Sequence, residues 1–299
     1  MLFVRGMRLH CRVFVACVVF YLGGLLTSGV NAQEIKPESA LVIGVAPHTS
    51  ARSLFSTYQS LRLYLQDSLQ RDVRVVTAPS FVEFLNRALE GRYDIVFTEG
   101  HQARLLEQDA GFLPLVTYQA EYRVLWIKAA NNASIHRLED LNGKKVLSLG
   151  QGSLTALWST QKLRERGVVP AKIGYVNASD SVVELILAGR AQAAALSQSS
   201  FERLTPNVRQ KLHVLEVSPP CLGRVFMLNP RLADEYASIR QMFFAFAHSE
   251  AAQAYFQSNQ LGGYREVEPA ELELMETYTQ LLRDSIKAEE KTKTQESDV

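Results

Sequence analysis

Lys144-Lys145-Val146-Leu147-Ser148-Leu149-Gly150-Gln151-Gly152-Ser153-Leu154-Thr155-Ala156-Leu157-Trp158 is the stretch that decides how the chain folds. The apolar run ending at Leu149 has the length of a buried strand, Gly150-Gln151-Gly152 is a tight turn, and Ser153 stands where a helix N-cap belongs. The first amides of a helix lack partners inside it, the macrodipole leaves partial positive charge there, and glycines let a ligand come close to the main chain. The stretch therefore has the parts of an anion cradle. A serine at that place is equally an ordinary cap, so the rest of the chain must decide.

The same alternation runs outward on both sides. Upstream, Leu41 to Ala46 reads as a strand ending in Pro47-His48-Thr49-Ser50, followed by a helix from about Ser53 to Leu69 with Leu54, Tyr58, Leu61, Leu65 and Leu69 at helical spacing. Val73 to Thr77 is a second strand, Ser80 to Glu90 a helix closed by Gly91, and Asp94 to Phe97 a third strand. Downstream, Ile173 to Val176 is a strand, Asn177-Ala178-Ser179-Asp180 caps a helix to Ala188, and Ala193 to Leu196 is another strand. Strands joined by helices need right-handed crossovers, which predicts parallel sheets with ligand loops beyond the strands' carboxyl ends. In the first half those loops are Pro47 to Ser50, Ala78 to Phe81 and Thr98 to His101.

Leu113 to Tyr118 and Tyr122 to Lys128 read as the passage from one lobe to another, and Ser218-Pro219-Pro220-Cys221 as the return. The expected architecture is α/β with two lobes, each a mostly parallel sheet flanked by helices. Residues 33–120 and 222–286 would form lobe one and 121–221 lobe two. Helices at Ala233 to Ala247, Glu250 to Gln257 and Pro269 to Ile286 would pack back on lobe one, and the charged tail 287–299 would stay disordered.

The chain has 299 residues, 47% hydrophobic, enough for two sizeable cores. It opens with Arg5, Arg8 and Arg12, an apolar run from Val13 to Leu26, and small residues at Val30 and Ala32, so residues 1–32 read as a cleaved secretory leader rather than a membrane anchor. Losing it removes three of the 32 basic residues and none of the 31 acidic ones, a balance of about −2 that gives no basis for nucleic-acid binding. Cys11 and Cys17 leave with the leader and Cys221 stays alone, so the mature chain has no internal disulfide. A lone thiol reads first as a small buried apolar group.

Tyr93-Asp94-Ile95-Val96-Phe97-Thr98-Glu99-Gly100-His101-Gln102-Ala103-Arg104-Leu105, then Leu138-Glu139-Asp140-Leu141-Asn142-Gly143-Lys144-Lys145-Val146, the turn from Gly150 to Thr155, and Leu187-Ala188-Gly189-Arg190-Ala191-Gln192-Ala193-Ala194 succeed one another in a telling order. In that order and spacing they resemble the periplasmic solute-binding proteins of phosphonate, phosphite and phosphate ABC transporters. The resemblance implies a type II periplasmic-binding fold that closes over an anion held by hydroxyls and helix N-termini. It also implies a periplasmic location and delivery of the ligand to an ABC permease, or in a sensory variant of the fold to the periplasmic domain of a sensor histidine kinase. The family's Ser-Thr-Ser-Gly turn is Ser153-Leu154-Thr155-Ala156 here, and Ser179-Asp180 and Gln192 replace the His and acid often found in aminophosphonate binders. These departures argue against an ammonium-bearing ligand, which wants carboxylates around it.

These residues define a candidate site. Ser153, Thr155 and the Gln151-Gly152 turn would hold the anion from lobe two, helped by Ser179 and Gln192 as uncharged donors. His48, Glu99 and His101 would close over it from lobe one, the histidines adding positive charge as pH falls, and Tyr122 would wall the cleft. No Gly-x-Ser-x-Gly elbow, His-Glu-x-x-His helix or P-loop occurs, and His48, His101, His136, His213 and His248 lack metal-ligand spacing. The reading is a monomeric binding protein for a small oxyanion, with no enzymatic activity, cofactor or metal.

Overall fold

The computed structural model describes residues 40–176 and 178–297. The expected leader, residues 1–32, and the Asn177 cap lie outside the described residues. β1 (Leu41–Val45) is an apolar run buried at nearly every position, as a strand covered on both faces must be. Ser50 accepts from the Ser53 amide to start α1 (Ala51–Leu69), whose buried stripe is Leu54, Tyr58, Leu61 and Leu65. β2 (Val73–Val76) comes next, then α2 (Phe81–Leu89), capped by Ser80 onto the Glu83 amide. β3 (Ile95–Glu99) passes straight into α3 (Gly100–Ala110), where the sequence predicts a loop from Thr98 to His101. Gly100 permits the junction: a Cβ there would lie 2.7 Å from the Leu222 carbonyl oxygen. β4 (Leu113–Tyr118) then leads out of the lobe.

β5 (Val124–Ala129), β6 (Lys145–Leu149), α4 (Leu154–Glu165), β7 (Lys172–Val176), α5 (Ser179–Leu187) and β8 (Ala193–Ser197) build lobe two. Two short helices, α6 (Gln198–Glu202) and α7 (Pro206–Arg209), fill a stretch for which the sequence predicts no element, because the polar Gln198-Ser199-Ser200 carries no apolar period. β9 (Leu212–Val217) and β10 (Arg224–Leu228) flank the return. Beyond them come α8 (Tyr236–Ala247), α9 (Glu250–Asn259) and the short β11 (Tyr264–Arg265). The helix expected from Pro269 to Ile286 is two, α10 (Pro269–Glu273) and α11 (Glu276–Ser297). α11 thus runs on through residues expected to be disordered. Ala288, Glu289, Glu290 and Lys291 are good helix formers and need no apolar face to extend a helix already started.

Lobe one's sheet has the order β11-β4-β10-β3-β1-β2 and lobe two's β7-β6-β8-β5-β9. The strand–helix units give the parallel pairs, β1 with β2 and β3, and β6 with β7 and β8. The other pairs are antiparallel, so each sheet is mixed. Because β10 runs against β3, its first residue, Arg224, stands opposite the last residue of β3, Glu99.

The segments joining the lobes, residues 119–123 and 218–223, touch at an isolated bridge between Tyr122 and Cys221, with Cys221 N–H donating to the Tyr122 carbonyl at 3.0 Å. α11 lies against both α3 and α4 rather than against lobe one alone. An apolar cluster containing Leu105, Tyr122, Leu154, Trp158, Leu222 and Leu282 therefore runs continuously from one lobe to the other. A second cluster, rich in rings such as Phe97, Tyr118, Phe226, Phe243 and Tyr264, fills lobe one. Each such side chain contributes roughly 1.5–3 kcal/mol by leaving water, so the frame around the interlobe region is firmly held.

Candidate functional site

A cavity of about 240 Å³ opens between the lobes at the carboxyl ends of the parallel strands. Lobe one contributes His48 and Thr49 after β1, Tyr58 of α1, Glu99 ending β3 and Arg224 opening β10. Lobe two contributes Ser179 and Asp180 opening α5, Ser197 ending β8, and Ser200 and Arg203 beyond it. Tyr122 closes the hinge side. The cavity is a polar pocket bearing two guanidinium groups.

Arg224 is half-buried, and its Nε is buried with no hydrogen-bond partner. Burial opposes its charge, but Tyr58, Tyr122 and Glu99 favour it and hold its pKa above the ordinary arginine value. Arg203 stays in contact with solvent, one Nη donating to Ser200 Oγ at 3.3 Å. Its pKa is lowered by desolvation and then by Arg224, against the pull of Asp180 and Tyr58. Among the described residues neither arginine forms an ion pair. Two cations from opposite lobes, facing one small cavity with neither in a direct ion pair, make a place for an anion. Ser179, Ser197 and Ser200 form a hydroxyl cluster beside it, with Oγ separations of 2.9–3.1 Å through Ser200.

The helix start that the sequence makes most prominent is built differently. Ser153 is fully buried and caps α4 by accepting from the Ala156 amide at 3.1 Å. The neighbouring Leu154 amide donates to Glu99 Oε2 of lobe one at 2.7 Å. His101 Nε2, also from lobe one, donates to the Gly152 carbonyl at 2.9 Å, and Thr155 is hydrogen-bonded to the Tyr122 hydroxyl at 2.9 Å. The α4 N-terminus is thus a lobe-to-lobe contact in which the Leu154 and Ala156 amides already have acceptors.

The sequence-nominated residues divide accordingly. His48, Glu99, Tyr122 and Ser179 line the cavity. Gly152, Ser153, Thr155 and His101 form the contact at α4 and do not line it. Gln151 is exposed and donates to Ser285 of α11. Gln192 precedes β8, so it lies at the amino end of the sheet, where it accepts from Asn132; the cavity is at the other end, at Ser197. Nor do the histidines bring positive charge. Desolvation, then Arg224 and Arg203, push His48 well below the usual imidazole range, and burial pushes His101 to about 4. Glu99 moves the other way, raised by burial to about 7 against the pull of the Leu154 amide and Arg224.

A larger cavity of about 740 Å³ runs along the crossing segments, past Trp158, Cys221, Met275 and Tyr278. Of its charged groups Arg265 pairs with Glu271 and Arg123 with Glu121, Glu202 accepts from Gln198, and Arg224 lines this cavity as well as the smaller one. Cys221 opens there and not into the interlobe cavity, and burial followed by the Glu99 charge pushes its thiol up to about 12, which leaves it unreactive. Among the described residues no three His, Cys, Asp or Glu side chains are grouped to hold a metal ion, and no helix is long and apolar enough to cross a membrane.

Against known families, residues 43–272 match the model of the periplasmic substrate-binding proteins of phosphonate ABC transporters. The chain belongs to this family. Its members are substrate-binding proteins and not enzymes, and membership implies the periplasm. No curated protein matches the sequence. Among solved structures, PhnD1 from Prochlorococcus marinus in complex with methylphosphonate superposes with a TM-score of 0.73 at 13% identity, over 82% of this chain and 98% of that one. A binding protein component of an ABC phosphonate transporter from Pseudomonas aeruginosa gives 0.69 at 15%, over 86% and 99%. A Xanthomonas citri protein bound to ATP gives 0.69 at 19%, over 82% and 98%. At these identities the likeness is one of fold, a two-lobed periplasmic-binding architecture.

Arg203 and Arg224 escape a reading of the sequence for identifiable reasons. The carboxyl-end rule directs attention to where parallel strands finish, whereas Arg224 begins an antiparallel strand, whose amino end shares that edge of the sheet. Arg203 sits past a five-residue helix without apolar periodicity. The available signal is Ser197-Gln198-Ser199-Ser200 at a strand end with an arginine one helical turn beyond.

Proposed function

We propose that the protein captures a small oxyanion of the phosphonate, phosphite or phosphate type between its lobes and delivers it to an ABC permease. The observation that carries the reading is the convergence of Arg224 and Arg203, from opposite lobes, on one cavity in which neither forms a direct ion pair. A doubly charged tetrahedral anion there would accept from both guanidiniums and from the Ser179, Ser197 and Ser200 hydroxyls. Contacts to both lobes at once favour the closed arrangement, and a permease can read that difference. Both walls of the cavity come from one chain, which fits action as a monomer. The family match is to transport components, and no observation favours a sensory partner.

Isothermal titration with methylphosphonate, phosphite, phosphate, sulfate and acetate tests the reading. Micromolar or tighter binding of a tetrahedral phosphorus oxyanion, lost in Arg224→Gln, is the expected result. Binding that is indifferent to Arg224 would place the ligand elsewhere, and a ligand bound without any permease-dependent uptake in cells would remove the transport half of the proposal.

A further inference from the structure

We propose that Glu99 takes up a proton when a doubly charged oxyanion enters the cavity, so that the cleft binds the dianion and a proton together. This deepens the capture reading and rests on it. Glu99 is 3% exposed, lines the cavity, and lies opposite Arg224 in the strand register without forming an ion pair to it. Its carboxylate accepts the Leu154 amide of the other lobe through Oε2. Among the described residues no donor reaches its second oxygen, Oε1.

The groups around Glu99 are Arg224 of β10, Tyr122 and Cys221 of the crossings, and the Leu154 amide of α4. His48, Tyr58, Asp180 and Arg203 complete the charged and titratable part of the cavity wall. With Glu99 ionised, two guanidiniums face two carboxylates and the cavity is neutral. With Glu99 protonated it carries one positive charge. A dianion entering the neutral cavity meets a buried carboxylate in a region of low dielectric, where like charges cannot both stay ionised without cost.

Protonating Glu99 removes that conflict and disturbs little else. The neutral acid keeps a carbonyl oxygen to accept the Leu154 amide and gains an O–H to donate to the ligand. The other cavity groups are less able to do this. The His48 ring is held neutral with its Nδ1 on the Ala46 carbonyl at 2.8 Å, Asp180 is exposed, and Tyr58 and Tyr122 are raised and stay protonated. Glu99 itself, raised to about 7 by burial, is poised where a nearby negative charge shifts its occupancy most. The proton comes from solvent, and the carboxylate becomes a carboxylic acid with no other bond changed.

The experiment is titration calorimetry with methylphosphonate in a series of buffers of differing ionisation enthalpy, at about pH 8, on the full chain and on Glu99→Gln and Glu99→Asp. The titration of methylphosphonate itself is measured separately and subtracted. The parent should take up close to one proton per ligand beyond the ligand's own, Glu99→Gln close to none, and Glu99→Asp should restore uptake. Affinity of the parent for the dianion should fall by up to about tenfold per pH unit above pH 7, while Glu99→Gln stays level. Equal uptake in parent and Glu99→Gln, both binding, overturns the inference and leaves the capture reading standing. Absence of excess uptake in the parent alone also overturns it, whatever the variants do. If the parent binds neither methylphosphonate nor phosphate, the capture reading falls and takes this inference with it.

Discussion

Two regions of the interlobe surface present anion-binding chemistry, and they differ in what remains unsatisfied. At the N-terminus of α4, Ser153 caps Ala156, the Leu154 amide is held by Glu99, and Thr155 is bonded to Tyr122. In the cavity a few residues away, Arg224 keeps a buried Nε with no partner, and Arg203 lines the same space without a direct ion pair. Both regions carry donors, but a donor already paired gains little from a ligand, whereas a half-buried cation without an ion pair gains much. The proposed capture site therefore rests on the unpaired group and not on the recognisable motif. The α4 terminus instead holds the lobes together, with a resident carboxylate in the place a ligand would take.

Arg224→Gln is the sharpest way to break this contrast. Removing the buried guanidinium should lower affinity for a tetrahedral oxyanion by roughly a hundred- to a thousandfold, about 3–4 kcal/mol, in calorimetry. The ligand-free variant should melt close to the parent's temperature, because Arg224 forms no ion pair and its buried Nε has no hydrogen bond to lose. Melting unchanged with binding unchanged would mean that Arg224 is an ordinary wall residue.

The pH dependence of stability is next in size. Glu99 is raised to about 7, so the native state holds its proton more tightly than the unfolded chain, and its contribution is lost as pH rises from about 4.5 through 7. His101 is lowered to about 4, so its contribution has the opposite slope and is lost as pH falls from about 6.5 through 4. The two offset each other in the parent. Replacing Glu99 by Gln should leave the histidine slope alone. Relative to the parent, the variant should gain up to about 3 kcal/mol between roughly pH 4.5 and 7.5 in denaturant titrations. A parent and variant with parallel pH profiles would remove the buried-carboxylate picture of the α4 contact.

Arg203→Gln should weaken binding less, by about three- to tenfold, and the loss should shrink at high salt because this guanidinium is exposed and screened. The smallest effects belong to the motif. Ser153→Ala and Thr155→Ala should each cost about 1 kcal/mol of stability, through a lost cap and a lost buried hydrogen bond, and change affinity by no more than about twofold. A loss of ten- to a hundredfold in either would return the ligand to the helix start that the sequence favours.

What the sequence determined by itself is the architecture, because that is written in local patterns. Leu54, Tyr58, Leu61 and Leu65 at helical spacing, apolar runs such as Leu41 to Val45, and Ser153 as a cap specify strands, helices and their alternation without reference to distant residues. The alternation in turn implies two α/β lobes and a cleft, and it placed His48, Glu99, Tyr122 and Ser179 on the cavity wall. What only the tertiary structure decided is which polar groups are left without partners. The Glu99 carboxylate reaches an amide 55 residues away, Arg224 enters the cavity by the antiparallel register of β10, and Gln192 falls at the opposite end of its strand from the cavity. Propensity acts over a few residues, but satisfaction of a buried charge depends on everything the fold brings beside it, and that is settled only when the lobes are packed.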